Sequence, residues 1–385
     1  RKTGKSAILA YKAVNQKFSF LGYIASAVPI LIFPYYCVIG GWIVKYMTVY
    51  FTGQAHAAAA DDYFSTFISG TAQPIVFLAI FLFCTALVVL IGVQKGVEKV
   101  SKILMPVLIL LSLAMAIYAL TLDGAMDGFV YYIKPNFSDF SIKTVVAAMG
   151  QLFYSMSLAM GIMITYGSYM GKQDNLEQSV RHVEIFDTLV AFLSGLMIVP
   201  AVYTFMGTEG MSAGPGLMFV SLPKIFEAMG VAGPVIGTIF FLMVSFAAVT
   251  SSVSVMESIV SNIIDRFHVS RKKGTVLVTI YACIVGVIVC LGYNVLYFEL
   301  KLPNGAVAQI LDLMDYLSNN LLMPTVALLS CILIGWVVKP QTIIDEVTIG
   351  GYKFGRKKLY IVMVKFIAPV LLAALLLQSL GVFSL

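Results

Sequence analysis

Nine apolar stretches, each long enough to cross a bilayer, constrain this chain more than any motif it carries. They lie near residues 19–49, 75–94, 103–121, 144–170, 184–206, 233–263, 275–294, 306–338 and 359–382. In hydrocarbon a backbone N–H or C=O finds no water, so segments of this kind must satisfy their own polar groups as helices. Sixty per cent of the residues are hydrophobic, 11% are charged and the mean hydropathy is +0.94, more apolar surface than a soluble domain can hide. The fold class is an all-α polytopic membrane protein.

Charge orients it. The segments 1–18, 94–102, 172–182, 266–273 and 339–358 hold 19 of the 25 Lys and Arg residues. The alternate loops hold four, Lys134, Lys143, Lys224 and Lys301. Lys45 and Lys365 lie near span ends, where a long side chain can reach the interface. The positive-inside bias places the N-terminus in the cytoplasm and, after nine crossings, the C-terminus outside. The opening Arg1-Lys2-Thr3-Gly4-Lys5, ahead of a very long apolar run, does not read as a cleavable signal. All five cysteines fall in apolar segments and the three histidines are scattered, so neither a disulfide framework nor a zinc cluster is expected. A net charge of +6 sited at loop ends suits a membrane surface and gives no reason to expect a nucleic-acid partner.

The polar residues within the spans carry the functional signal. Gly150-Gln151-Leu152-Phe153-Tyr154-Ser155-Met156-Ser157-Leu158-Ala159-Met160-Gly161 crowds polar and small residues into mid-membrane. Such groups need protein, water or ligand, which predicts either a broken helix around a binding site or close packing of small residues. In the sixth span Thr250, Ser254 and Glu257 share one helical face, with Ser251 and Ser258 on its flank. Hydroxyls there can bind a small cation or bond back to the helix. Asp187, Glu257, Asp312 and Asp315 also sit in or near spans, where a central charge costs about 2.5–3.5 kcal/mol even on a lenient scale. Glu257 reads as a buried structural hydrogen bond, and the Asp312/Asp315 face as a gate near the outer end. Tyr36 lies too deep for an interfacial belt and can donate to a carboxylate.

Several of these motifs, in order, resemble the neurotransmitter:sodium symporter family, sodium-coupled transporters of amino acids and biogenic amines. They are Pro34-Tyr35-Tyr36 with Gly41-Trp42, the Gly150–Gly161 stretch followed by Thr165-Tyr166-x-Ser168-Tyr169, and Thr250-Ser251-Ser252. Asp312-x-x-Asp315, Lys95-Gly96-x-Glu98-Lys99 and Lys102-x-x-Met105-Pro106 complete the likeness, which covers nearly the whole chain. The resemblance implies a leucine-transporter-type inverted repeat, with the nine spans equivalent to family helices three to eleven. Residues 1–121 would then be the rest of a first repeat, 144–338 the second and 359–382 a peripheral helix, in one transporter domain over 1–385. It also leads one to expect two further family helices ahead of Arg1, and therefore half-built sites in these residues alone.

By the same resemblance, one sodium site would use the Ala247 carbonyl with Thr250 and Ser251, and another Ser155 with Asp187. Relatives often have asparagine where Asp187 stands, and a fixed charge there implies chloride-independent transport. The substrate pocket would comprise Ile32, Tyr36, Ile39, Tyr154, Ser155, Ser157, Met160, Ser251 and Val255. Tyr36 would bond the substrate carboxylate and Tyr154 would be an aromatic lid. Gln151 and Asp315 would form the outer gate, Asp315 with an arginine of a preceding helix. Asp265 would serve the inner gate beside Tyr169. Ala159 stands where many relatives have glycine, which narrows the pocket or stiffens the turn. The expected function is sodium symport of an apolar or aromatic amino acid across a bacterial inner membrane, with no organic cofactor and no enzymatic activity. A homodimer, proton coupling, an amine cargo and a non-transporting partner protein stay open as alternatives.

Overall fold

The computed structural model describes residues 1–138, 140–211 and 214–382. Its helices, in chain order, begin with α1 (Ala7–Val14), α2 (Phe20–Phe51), α3 (Tyr63–Ser69), α4 (Ala72–Ile91), α5 (Lys99–Leu120) and α6 (Ala125–Ile133). Next come α7 (Ile142–Ser155), α8 (Ile162–Tyr169), α9 (Leu176–Met206), α10 (Leu222–Ala228), α11 (Gly233–Phe267) and α12 (Arg271–Leu291). The last are α13 (Ile310–Val337), which contains two π-helical stretches, α14 (Gln341–Val347) and α15 (Lys357–Ser379). Among the described residues, eight helices are long and apolar enough to cross a membrane. The ninth expected span, 144–170, is the pair α7 and α8 with a gap between them.

Local chemistry explains the ends. Ser141 and Thr144 form a reciprocal cap at α7, while Asn175 accepts from Gln178 N–H at α9 and Ser270 from Lys273 N–H at α12. Gly207, at φ 63°, stops α9 after Met206. Apolarity alone did not reveal the short elements in the loops: α1, α3, α6 and the small hairpin pairing Leu300 with Ala308 are too brief to span.

The centre of the bundle is α2 against α11, with α4, α5 and α12 packed around them. Gly40 and Gly41 let α2 approach α4 closely. A Cβ on Gly40 would lie 2.4 Å from the Phe81 ring, and one on Gly41 2.7 Å from the Leu78 backbone nitrogen. Towards one end Trp42 and Tyr46 of α2 meet Phe64 of α3, Phe219 and Tyr293 edge-on or tilted, and Tyr46 donates to the Phe219 carbonyl at 2.8 Å. This aromatic seam locks α2 to the segment leading into α10. The α7/α8 break therefore lies against a rigid scaffold.

Candidate functional site

The break supplies the site's backbone. After α7 ends at Ser155, Ser157 (φ 53°), Ala159 (φ 60°) and Gly161 (φ 75°) are all left-handed, so the chain cannot continue as a right-handed helix. Gly161 is the position that needs to be glycine twice over. Its φ is positive, and a Cβ there would sit 3.3 Å from both the Ala7 methyl and the Ser258 hydroxyl. Ser157 and Ala159 hold the same conformation with a Cβ, a local strain of the kind found at functional sites.

Beside the break is a cavity of about 630 Å³. Ile32 and Tyr36 of α2 form one wall, and Gln151, Tyr154, Ser155, Ser157 and Met160 line the broken segment. Asp187 of α9 and Thr250, Ser251 and Val255 of α11 close the other sides. The structure thus brings eleven of the expected residues to one cavity. Ile39 packs instead into the core next to it, and Ala247 enters through its carbonyl, which accepts from the Thr250 hydroxyl at 3.0 Å. That hydroxyl also lies 3.0 Å from the Phe246 carbonyl. With its proton turned back onto the helix, the Thr250 oxygen is left with lone pairs to offer a cation.

Asp187 is the only charged residue on the described wall of this cavity. The Ser155 hydroxyl donates to it, joining α9 to the end of α7 across the break. The Tyr36 side chain lies within reach of Ser251. A wall with one carboxylate, several hydroxyls and no cationic side chain has the charge and hard oxygens that suit a bound cation. The remaining wall is apolar and deformable, with Met105, Met156, Met160 and Met163 beside Ile32 and Val255.

Met105, Met156, Ile162, Met163, Tyr166, Val183 and Ser254 complete the lining; of these the sequence points to Ser254, on the Thr250 face, and to Tyr166, in the motif after the break. For Ile162, Met163 and Tyr166 the signal was present, since helical spacing from the break puts them on one face of α8. Tyr166 donates to Ser254 at 2.8 Å, and Ser254 donates to the Thr250 carbonyl at 3.1 Å.

Each end of the cavity has a buried or half-buried carboxylate held by a tyrosine. On the α13 side Asp315 accepts from the Tyr35 hydroxyl at 3.0 Å and from the Asn319 amide at 2.5 Å. Asp312, expected to share its role, is exposed and caps α13 by accepting the Gln309 N–H at 3.1 Å. At the other end Tyr169 donates to Glu257 at 2.6 Å, and Arg271 grips the same carboxylate at 2.6 and 2.8 Å. Glu257 is fully buried, so the expected structural hydrogen bond is part of an ion pair. Asp265 accepts the Ser6 backbone N–H at 2.7 Å, whereas the Tyr169 hydroxyl donates to Glu257.

Comparison with known proteins gives consistent matches. The sequence profile described as Sodium:neurotransmitter symporter family matches residues 57–384. An uncharacterized sodium-dependent transporter of Bacillus subtilis, YhdH, is 33% identical over 395 aligned residues, covering 100% of this chain and 85% of that protein. Another, MJ1319 of Methanocaldococcus jannaschii, is 29% identical, covering 97% and 76%. Among solved structures, MhsT in complex with L-phenylalanine superposes with a TM-score of 0.87 at 33% identity, covering 98% of this chain and 86% of that one.

Proposed function

Since the chain belongs to the sodium:neurotransmitter symporter family, sodium-dependent membrane transporters rather than enzymes, we propose that its cargo is an apolar or aromatic amino acid. The observation that carries this reading is the cavity at the α7/α8 break. Its one carboxylate, Asp187, is hydrogen-bonded to Ser155, and hydroxyls of α11 face it from another wall. Sodium beside Asp187 and Ser155, and beside Thr250, Ser251 and the Ala247 carbonyl, would balance both that carboxylate and the carboxylate of the cargo. Ion and cargo would each make the other's binding more favourable by balancing its charge, which is the physical basis of coupling.

Tyr36 would orient the cargo carboxylate, and Tyr154 would close over its side chain. The methionine-rich wall supports an apolar side chain of adaptable size, and MhsT, similar over nearly the whole chain, was solved with phenylalanine. Gln151 and Asp315 would gate the side where the aromatic seam lies, and Asp265 with Tyr169 the other, around a fixed mid-membrane site. The fixed charge of Asp187 supports transport without chloride. The Lys/Arg bias supports a plasma-membrane protein with a cytoplasmic N-terminus and an external C-terminus. Residues 1–121 and 144–338 would act as parts of two repeats that rock against each other, with 359–382 peripheral.

The test is binding of radiolabelled L-phenylalanine to the purified protein in sodium, with competition by leucine, by dopamine and by charged amino acids. Competition by leucine alone, unchanged when gluconate replaces chloride, is the expected result. Displacement by dopamine would move the cargo to amines, and a chloride requirement would remove the proposed role of Asp187.

A further inference from the structure

Two adjoining cavities lie away from the central site, between the first turns of α9 and the connector from α14 to α15. One, of about 290 Å³, has a mainly apolar wall of Leu176, Val180, Ile343, Val347, Phe354 and Tyr360, with Glu177, Arg181, Glu184 and Arg356 at its border. The other, of about 610 Å³, is polar and carries Arg181, His182 and Lys353. Glu177 and Arg181 line both, so the two form one groove with an apolar half and a basic half.

The groove is built rather than incidental. Glu177 accepts the Gly355 N–H through either oxygen at 3.2 Å, Arg356 pairs with Glu184 at 2.6 Å, and Tyr352 donates to the Gln173 carbonyl at 2.8 Å. Those contacts occupy both acids of the groove. Among the described residues Arg181 and Lys353 have no carboxylate partner, and Lys357 and Lys358 follow at the start of α15. Ile185 lines the basic half as an exposed apolar side chain, and beyond the groove Leu359 and Val362 of α15 are exposed as well.

We infer that this groove binds an anionic phospholipid of the cytoplasmic leaflet, its phosphate against Arg181 and Lys353 and an acyl chain in the apolar half. The inference rests on the proposed orientation, which puts both Lys/Arg-rich segments, 172–182 and 339–358, on the cytoplasmic side. Basic side chains at that depth attract anionic headgroups, and an adjoining apolar cleft is what distinguishes a lipid from a free anion. Arg181 lies less than two turns before Asp187 on α9, so the lipid would brace the helix that carries the cavity's charge.

The test is native mass spectrometry of the delipidated full chain with phosphatidylglycerol, with phosphatidylcholine of the same chains, and with inorganic phosphate as competitor. R181Q/K353Q is expected to lower the phosphatidylglycerol-bound population at least about tenfold, and R181K/K353R to restore it. Val347→Trp, which fills the apolar half, is expected to weaken it as well, with Ile343→Phe as a milder filling. K95Q/K99Q, at another basic segment, is expected to change nothing, and phosphatidylcholine to bind weakly. Unaltered binding in R181Q/K353Q, or equal loss in K95Q/K99Q, would overturn the inference. So would displacement by millimolar phosphate with binding retained in both filling variants, which would make this a free-anion site. Because the readout is lipid and not transport, its failure leaves the proposed function untouched.

Discussion

The two ends of the cavity use the same part differently. At each, a tyrosine hydroxyl holds a carboxylate: Tyr35 on Asp315, Tyr169 on Glu257. At the Asp315 end the other donor among the described residues is the neutral amide of Asn319, so within these residues the negative charge is hydrogen-bonded but not paired with a cation. At the Glu257 end Arg271 neutralises it with two short bonds while the carboxylate is fully buried. A neutralised buried pair is expensive to break, whereas a hydrogen-bonded carboxylate can exchange donors at small cost. One end is thus built to hold and the other is free to change partners, which suits the outer-gate role proposed for Asp315.

Breaking the firm end should have the largest effect. Arg271→Met would strand the buried Glu257 charge and cost about 3–5 kcal/mol, read as a large drop in unfolding temperature in detergent. Adding Glu257→Gln should recover much of that loss; a double variant no more stable than the single one would mean the pair is not the source. Tyr169→Phe removes one hydrogen bond to a charged group and should cost about 1.5–3 kcal/mol in the same assay. Asp315→Asn, at the exchangeable end, keeps an amide oxygen to accept from Tyr35 or Asn319 and should cost only about 0.5–1.5 kcal/mol. Equal losses for Asp315→Asn and Arg271→Met would erase the contrast. Ala159→Gly should be the smallest and of opposite sign, a gain of up to about 1 kcal/mol, because glycine takes the left-handed conformation without a Cβ clash.

How much of this was legible in the sequence follows from which interactions are local. The helix break was readable because Gly150, Ser155, Ser157 and Gly161 cannot all face lipid, a property of a dozen consecutive residues. Asp187 stood out because a charge inside a span needs a reason, and its meeting with Ser155 comes from α9 running back past the end of α7. The Glu257–Arg271 pair was not readable. Arg271 counts in sequence as one more cytoplasmic charge, and only the turn between α11 and α12 brings it back to Glu257. The partners of Asp315 were hidden for a similar reason. Among the described residues its donors are Tyr35, one residue from the tyrosine singled out, and Asn319, within the π-helical stretch of α13 that follows Asp315. Ile39 shares the face of Tyr36 by spacing yet packs into the core, because spacing sets a direction and not a depth.

The most direct test of the central claim, that the cavity at the helix break couples an ion to its cargo, is a sodium titration of L-phenylalanine binding to the purified protein. Saturable binding in sodium, little in potassium, and at least about tenfold weaker sodium dependence in Thr250→Ala, the loss of one hard-oxygen ligand, are expected. Equal binding in sodium and potassium, or a Thr250→Ala variant with an unchanged sodium curve, would contradict it.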